Sequence, residues 1–289
     1  MDSNGLSRRR LLTVGAALTA GLTTGCAVAQ GDSIGTGHTL AEPVAPVNAQ
    51  PLATGEAVSI PFPAQVAARH AGAVPQQWGV DLAGITSSFP AHGKQFALTF
   101  DACGGHGNSA IDQPLIDFLI AEQIPATLFL NKRWVDADPA RVQLLGANPL
   151  FELANHGSAH KPLSVSGRSA YRIAGTGSAE EAAYEVWDNH QRITELTGRA
   201  PRFFRTGTAH YDEVAVAIVN ELGETPLGFT VNADFGATAS PGQVQRAMSA
   251  AAPGGIALAH MHRPGSGTAA GMAAALPALR AAGYTFVHL

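Results

Sequence analysis

From about residue 93 to the C-terminus, short apolar runs alternate with stretches of helical length. This alternation constrains the fold more than any other feature. Gln95–Phe100, Ala126–Leu130, Phe151–Ala154, Arg202–Arg205, Gly228–Val231, Gly255–Ala259 and Thr285–His288 read as strands. Between them Gln113–Glu122, Pro139–Leu145, Ala179–Leu196, Asp212–Leu222, Pro241–Ala250 and Gly271–Ala281 read as helices. Ala179–Leu196 has a start signal in Ser178 and stop signals in Gly198 and Pro201. Short apolar strands joined by helices imply an α/β fold, a parallel sheet covered on both faces. The strand count predicts a small or incomplete barrel, with an open doubly wound sheet as the alternative.

Upstream the alternation is absent. Residues 30–62 are rich in Gly, Pro, Ala, Thr and Ser with no sustained period, which predicts a flexible, poorly ordered extension. It continues to residue 92 through a short helix around Ala64–Ala71 and a lone Trp78 that packs on the following domain. The first 29 residues read as an export signal: Ser7-Arg-Arg-Arg-Leu-Leu12 precedes an alanine-rich apolar stretch too short for a good membrane span. The arginines followed by leucine resemble a twin-arginine signal. Two endings fit it. Ala27-Val-Ala29 has the small residues of a cleavage site, and Leu22-Thr-Thr-Gly-Cys26 resembles a lipoprotein box that would anchor the chain to a membrane at Cys26. The expected organisation is therefore a signal at 1–29, an extension at 30–92 and a catalytic domain at 93–289, exported and periplasmic or extracytoplasmic.

The net charge of −4 leaves no basic footprint and argues against nucleic-acid binding. Two cysteines, Cys26 and Cys103, are too few for a disulfide framework.

Chemistry-bearing residues gather at strand ends. Phe96-Ala-Leu-Thr-Phe-Asp101 is an apolar run that stops on a carboxylate and opens into Gly104-Gly105, the way parallel α/β folds present catalytic groups. Pro201-Arg-Phe-Phe-Arg205 ends on a guanidinium, which can hold a carboxylate in one geometry and keep it ionised. Gly255-Ile-Ala-Leu-Ala-His260 ends on an imidazole, a proton donor near neutral pH, and is followed by His262. Asp234 ends another strand and could orient such a histidine. His156 and His160, four apart, would share one face of a helix and could converge on a cation.

In order and spacing these segments resemble the polysaccharide deacetylase family, which shares the NodB-like homology domain, over roughly residues 94–289. Leu98-Thr-Phe-Asp101 resembles its Thr-Phe-Asp-Asp motif, His156-Gly-Ser-Ala-His160 its His-(Ser/Thr)-x-x-His metal motif, and Thr197–Arg205 the approach to its third motif. Asp234 stands at the fourth motif, Leu258-Ala-His260 is similar to the closing Leu-x-His, and Ala274–Leu289 resembles the last helix and strand. The resemblance implies a distorted, incomplete (β/α)7-type barrel that hydrolyses acetyl groups, N-acetyl first among them, on a carbohydrate polymer or oligosaccharide. It implies Asp101 as base, Arg205 as its brace, His260 as acid oriented by Asp234, and a backbone N–H near Thr208 for the oxyanion. A divalent cation, zinc in first place because imidazole suits it, would sit on His156 and His160.

The chain departs from the pattern in three places. The family's second Asp, a metal ligand, is Ala102. The third motif's Pro and aromatic become Gly207 and Thr208, and the fourth motif lacks its Trp, leaving Phe235 as the nearest ring. Two histidines alone make a poor zinc site, so Asp101 or Cys103 is expected as third ligand, with His106 a further loop candidate. Two rival functions follow from the departures: a C–N hydrolase of a small non-sugar amide, with or without metal, and a catalytically silent carbohydrate-binding protein.

Overall fold

The computed structural model describes residues 63–289. The expected signal, the lipidation site at Cys26 and residues 30–62 lie outside the described residues. In chain order the elements are α1 (Pro63–Arg69), β1 (Gln95–Ala102), α2 (Gln113–Ala121), β2 (Ala126–Leu130), α3 (Lys132–Ala137), α4 (Pro139–Ala147) and β3 (Phe151–Asn155). They continue as α5 (Ala179–Thr197), β4 (Phe203–Phe204), α6 (Glu213–Glu221), β5 (Thr225–Pro226), β6 (Val231–Asn232), α7 (Pro241–Met248), β7 (Ile256–His260), α8 (Thr268–Ala281) and β8 (Thr285–Val287). Among the described residues no helix is long and apolar enough to cross a membrane.

The strands pair only in parallel, in the order β5-β4-β3-β2-β1-β7-β6, with β8 against the first half of β1. The two edge strands, β5 and β6, are joined by Leu227–Thr230 alone. Laid flat, six strand spacings of about 4.8 Å would separate those edges by roughly 29 Å. The chain from Pro226 to Val231 can span at most about 18 Å. The sheet must therefore curl until its edges face each other, which makes it the incomplete barrel that the sequence predicts rather than an open sheet. The predicted strand Gly228–Val231 does not form as drawn. The chain crosses the barrel gap there, leaving two short strands on either side of the crossing.

Strand alternation sorts the side chains. Leu98, Phe100 and Ala102 of β1 point outward and pack with Leu115, Leu119, Trp134, Met272 and Leu276 in the principal core beneath the helices. Ala97 faces the barrel interior with Phe129, Ala154, Leu227 and Ile256, and Thr99 and Asp101 share its side of the strand. A third core joins α1, α5 and α6 through Val66, Val186, Phe204, Tyr211 and Ile218. Helix α5 starts where expected: the Ser178 side chain accepts from Glu181 N, and Gly198 closes it in the left-handed conformation at φ 70.

The segment before β1 is fastened to the barrel. Thr86 bridges Leu227, Ser88 bridges Gly255 and Gly79 bridges Tyr211, so residues 79–89 cover the gap between the sheet edges. Trp78 packs on His210 with ring centroids 5.7 Å apart. Helix α3 was not anticipated in the sequence.

Candidate active site

Asp101, at the carboxyl end of β1, is 2% exposed and sits in register with Phe129 on one side and His260 on the other. Its Oδ1 accepts from Arg205 Nη1 at 2.8 Å. The same nitrogen reaches Thr99 Oγ1 at 2.8 Å, and Nη2 donates across the barrel gap to Gly228 O at 3.0 Å. The Arg205 guanidinium also lies over the Phe129 ring, 4.2 Å from its centroid. A fully buried guanidinium is tolerable only with such partners; removing one partner of a buried ion pair costs about 3–5 kcal/mol. Arg205 thus braces Asp101 and ties the barrel wall together.

His156 and His160 come together, but not by a helix. They flank a loop in which Gly157 takes φ 77 and His160 φ 61, and their rings meet edge to face at 4.9 Å. His156 Nδ1–H donates to Arg205 O at 2.8 Å, which fixes the tautomer and turns Nε2 toward Cys103 Sγ at 3.8 Å and Asp101 Oδ2 at 3.6 Å. His160 Nε2 is buried without a partner. One donor atom from each of Cys103, His156 and His160 lies within 4.8 Å of the others. A thiolate and two imidazoles, one of them fixed by an outer hydrogen bond, are a donor set that suits zinc-type ions. Ala102 faces the core and is fully buried. Residue 103, one step on, returns to the side of Asp101, so of the two expected third donors it is Cys103 that clusters with both histidines, while Asp101 pairs with Arg205.

The loop owes its shape to groups that sequence reasoning missed. Glu185 on α5, buried, accepts from Ala159 N at 3.0 and 2.9 Å and from Lys161 N at 3.2 Å. Asn131 Nδ2 donates to His156 O and Gly157 O, and Asn155 Oδ1 accepts from Gly157 N. A Cβ at residue 157 would lie 2.5 Å from Glu185 Oε1, so a glycine stands where the motif usually carries Ser or Thr, and the carboxylate fills that space. Gly207 has a parallel reason: a Cβ there would stand 2.4 Å from His160 O.

On the other wall His260 Nδ1 pairs with Asp234 Oδ1 at 2.8 Å. Asp234 Oδ2 accepts from His260 N at 2.7 Å and from Thr268 Oγ1 at 2.8 Å, leaving His260 Nε2 for the cleft. Burial opposes charge on His260, yet the Asp234 carboxylate holds the imidazole well above its ordinary value. His156 behaves alike: burial would lower it, and the charge of Asp101 raises it. Burial lowers His160. Burial also favours a neutral Cys103 thiol, but His156, His160, His260 and His262 surround it and bring it well below its ordinary value. His262, whose ring reaches Asp101 O at 3.3 Å, joins the site as a fourth imidazole.

These groups open on one cleft of about 480 Å³, lined among others by Asp101, Cys103, His160, Thr208, His260 and His262. Thr208 lies in it, its amide donating to Thr206 Oγ1 at 3.3 Å and its own hydroxyl buried without a partner. His106 is not part of the Cys103–His156–His160 cluster.

Residues 90–227 match the family model described as polysaccharide deacetylase. Solved structures share the fold. A peptidoglycan N-acetylglucosamine deacetylase is 21% identical with a TM-score of 0.59, covering 70% of this chain and 89% of its own. A family 4 acetyl xylan esterase from Clostridium thermocellum, in complex with a cobalt ion, is 21% identical with a TM-score of 0.55 and coverages of 68% and 88%. A family 4 carbohydrate esterase pseudoenzyme from Bacillus anthracis is 20% identical with a TM-score of 0.57; the match spans 68% of this chain and 64% of the pseudoenzyme. No curated protein matches the chain significantly. With the curled parallel sheet and the site at its carboxyl end, residues 90–227 are similar to the polysaccharide deacetylase family.

Proposed function

We propose that the protein is an exported carbohydrate deacetylase acting on N-acetyl groups, with Asp101 as base and His260 as acid. One observation carries the reading: Asp101 and His260 are register partners on adjacent strands, each held by its own charged neighbour, at the wall of one cleft. His156, His160 and Cys103 would hold a divalent ion, which supplies Lewis acidity to a water and to the acetyl carbonyl. Asp101 takes the proton of the attacking water as the new C–O bond forms. Arg205 holds the carboxylate in place through that step. His260, aimed by Asp234, gives its Nε2 proton to the departing amine nitrogen as the C–N bond breaks. The twin-arginine-like start supports an envelope polymer as the substrate.

Acetate release from chito-oligosaccharide, peptidoglycan and acetylated xylan tests the proposal. Wild-type protein should release acetate from at least one, and Asp101→Asn from none. The variant leaves Arg205 with a neutral partner and should lose stability as well, so it is assayed where circular dichroism shows it folded. Wild-type turnover in a folded Asp101→Asn protein would refute the assignment. A second reading, a silent carbohydrate-binding protein, is favoured by alanine at position 102; it predicts carbohydrate binding with no acetate from any substrate.

A further inference from the structure

Seven described non-glycine residues have positive φ, and four of them, His160, Tyr171, Ala209 and Phe235, line the cleft. Two of these four are large aromatics, for which the left-handed region is a genuine outlier. Tyr171 (φ 51) and Arg172 (φ 65) are the central pair of a tight two-residue turn closed by Ala170 N to Ile173 O at 3.1 Å and Ile173 N to Ala170 O at 2.9 Å. Such turns normally carry Asn or Gly at these positions. Phe235 (φ 52) is clamped by its N–H to Asn232 Oδ1 at 3.0 Å and by Thr238 Oγ1 to its carbonyl at 2.7 Å.

This strain does not serve the core. Tyr171 is 76% exposed and Phe235 57% exposed. The Tyr171 ring meets His210 edge to face at 5.3 Å, and His210 is locked by Nδ1 to Thr208 O at 2.8 Å and by packing against Trp78. The ring is buttressed by His210 and left open to solvent over most of its surface. Backbone strain that presents an exposed group to a cleft is the pattern expected at a ligand clamp.

We propose that Tyr171 and Phe235 are stacking surfaces for pyranose rings next to the sugar at Asp101 and His260, so that the substrate is an oligomer or polymer. The proposal rests on the carbohydrate reading above. A pyranose ring offers a flat face of C–H groups that packs on an aromatic face. Both rings stand mostly in solvent at the wall of the cleft, so a ligand covering them extends out of the reaction centre, which suits neighbouring sugars and not a small enclosed amide.

The test compares kcat/KM for chitopentaose with that for chitobiose, and repeats the comparison with long and short acetylated xylo-oligosaccharides, for wild type, Tyr171→Gly, Tyr171→Phe and Phe235→Ala. The long-to-short ratio should fall about tenfold in Tyr171→Gly and Phe235→Ala, mostly through KM, and should recover in Tyr171→Phe. Tyr171→Gly should also raise the Tm by about 2–4 °C, because glycine accepts the left-handed turn. A ratio unchanged in both variants, or a uniform fall on long and short substrates, overturns the proposal while leaving deacetylation standing. Wild-type protein that releases no acetate from any of these sugars overturns the carbohydrate reading and this proposal together.

Discussion

At the scale of single residues, Cys103 separates this site from the motif that it resembles. The strand pleat sends Ala102 into the core and brings Cys103 to the side of Asp101, so a thiol stands where a carboxylate donor was expected. Cobalt-loaded wild-type protein should show a near-ultraviolet thiolate-to-metal band, and Cys103→Ser should lose it. The same change should weaken metal affinity by more than the about 10- to 100-fold typical of losing an outer partner. A band retained in Cys103→Ser would remove Cys103 from the donor set. His260 makes a different prediction, through the leaving group. If it protonates the departing amine, His260→Ala should slow amide hydrolysis by about 10²- to 10⁴-fold. The variant should lose far less on a 4-nitrophenyl ester, whose leaving group needs no proton. Equal losses on the two substrates would argue that His260 holds the cleft together instead.

At the scale of elements, the site is an agreement between loops and one helix. Helix α5 supplies Glu185, whose carboxylate shapes the His156–His160 loop through backbone N–H groups at Ala159 and Lys161. Glu185→Gln keeps the size but gives up an acceptor. Metal affinity should fall by about 10- to 100-fold with the helix content unchanged. Gly157→Ala should cost about 1–2 kcal/mol in urea unfolding, since φ 77 suits glycine and the new Cβ would press on Glu185 Oε1. Unaltered affinity in Glu185→Gln would show that the loop holds its shape unaided. The strands and most helices were legible because apolar periodicity and caps such as Ser178 and Gly198 are local signals. Asp101, Arg205, Asp234 and His260 were legible because strand ends put functional groups on one rim. Glu185, Asn131 and Asn155 were not. Glu185 and Asn131 are buried polar residues that hold backbone groups of the histidine loop from other elements, and Asn155 is tied to Val186, Asn189 and Glu224 far along the chain, so no local pattern marks any of them. Helix α3 escaped because it is short and buries only Trp134 and Val135. The histidine pair was found for an imperfect reason: spacing of four suggested a helix face, whereas a glycine-bent loop joins the rings.

At the scale of the whole molecule, the barrel is held by polar ties that cross from layer to layer, and one of them titrates near neutral pH. Glu224, 2% exposed at the entry to β5, accepts from Asn155 Nδ2 at 2.9 Å and pairs with His190 Nδ1 on α5 at 2.7 Å. Its other oxygen has no partner. Burial pushes the carboxyl up to about 7, with His190 and Asn155 pulling against that rise. The folded pKa lies above the unfolded value of about 4.5, so between those pH values the folded state binds a proton that the unfolded chain has lost. The stability contributed by this proton is complete below about pH 4.5 and is lost as pH rises to about 7. The full span is worth at most about 3 kcal/mol. Glu224→Gln cannot titrate and retains the side-chain carbonyl as an acceptor for Asn155. It should therefore gain stability relative to wild type between pH 5 and pH 8, as read from urea midpoints at constant m. Parallel pH profiles for the two proteins would mean that Glu224 is already ionised at pH 5. The tie between β3, α5 and β5 would then run through a carboxylate rather than a carboxylic acid.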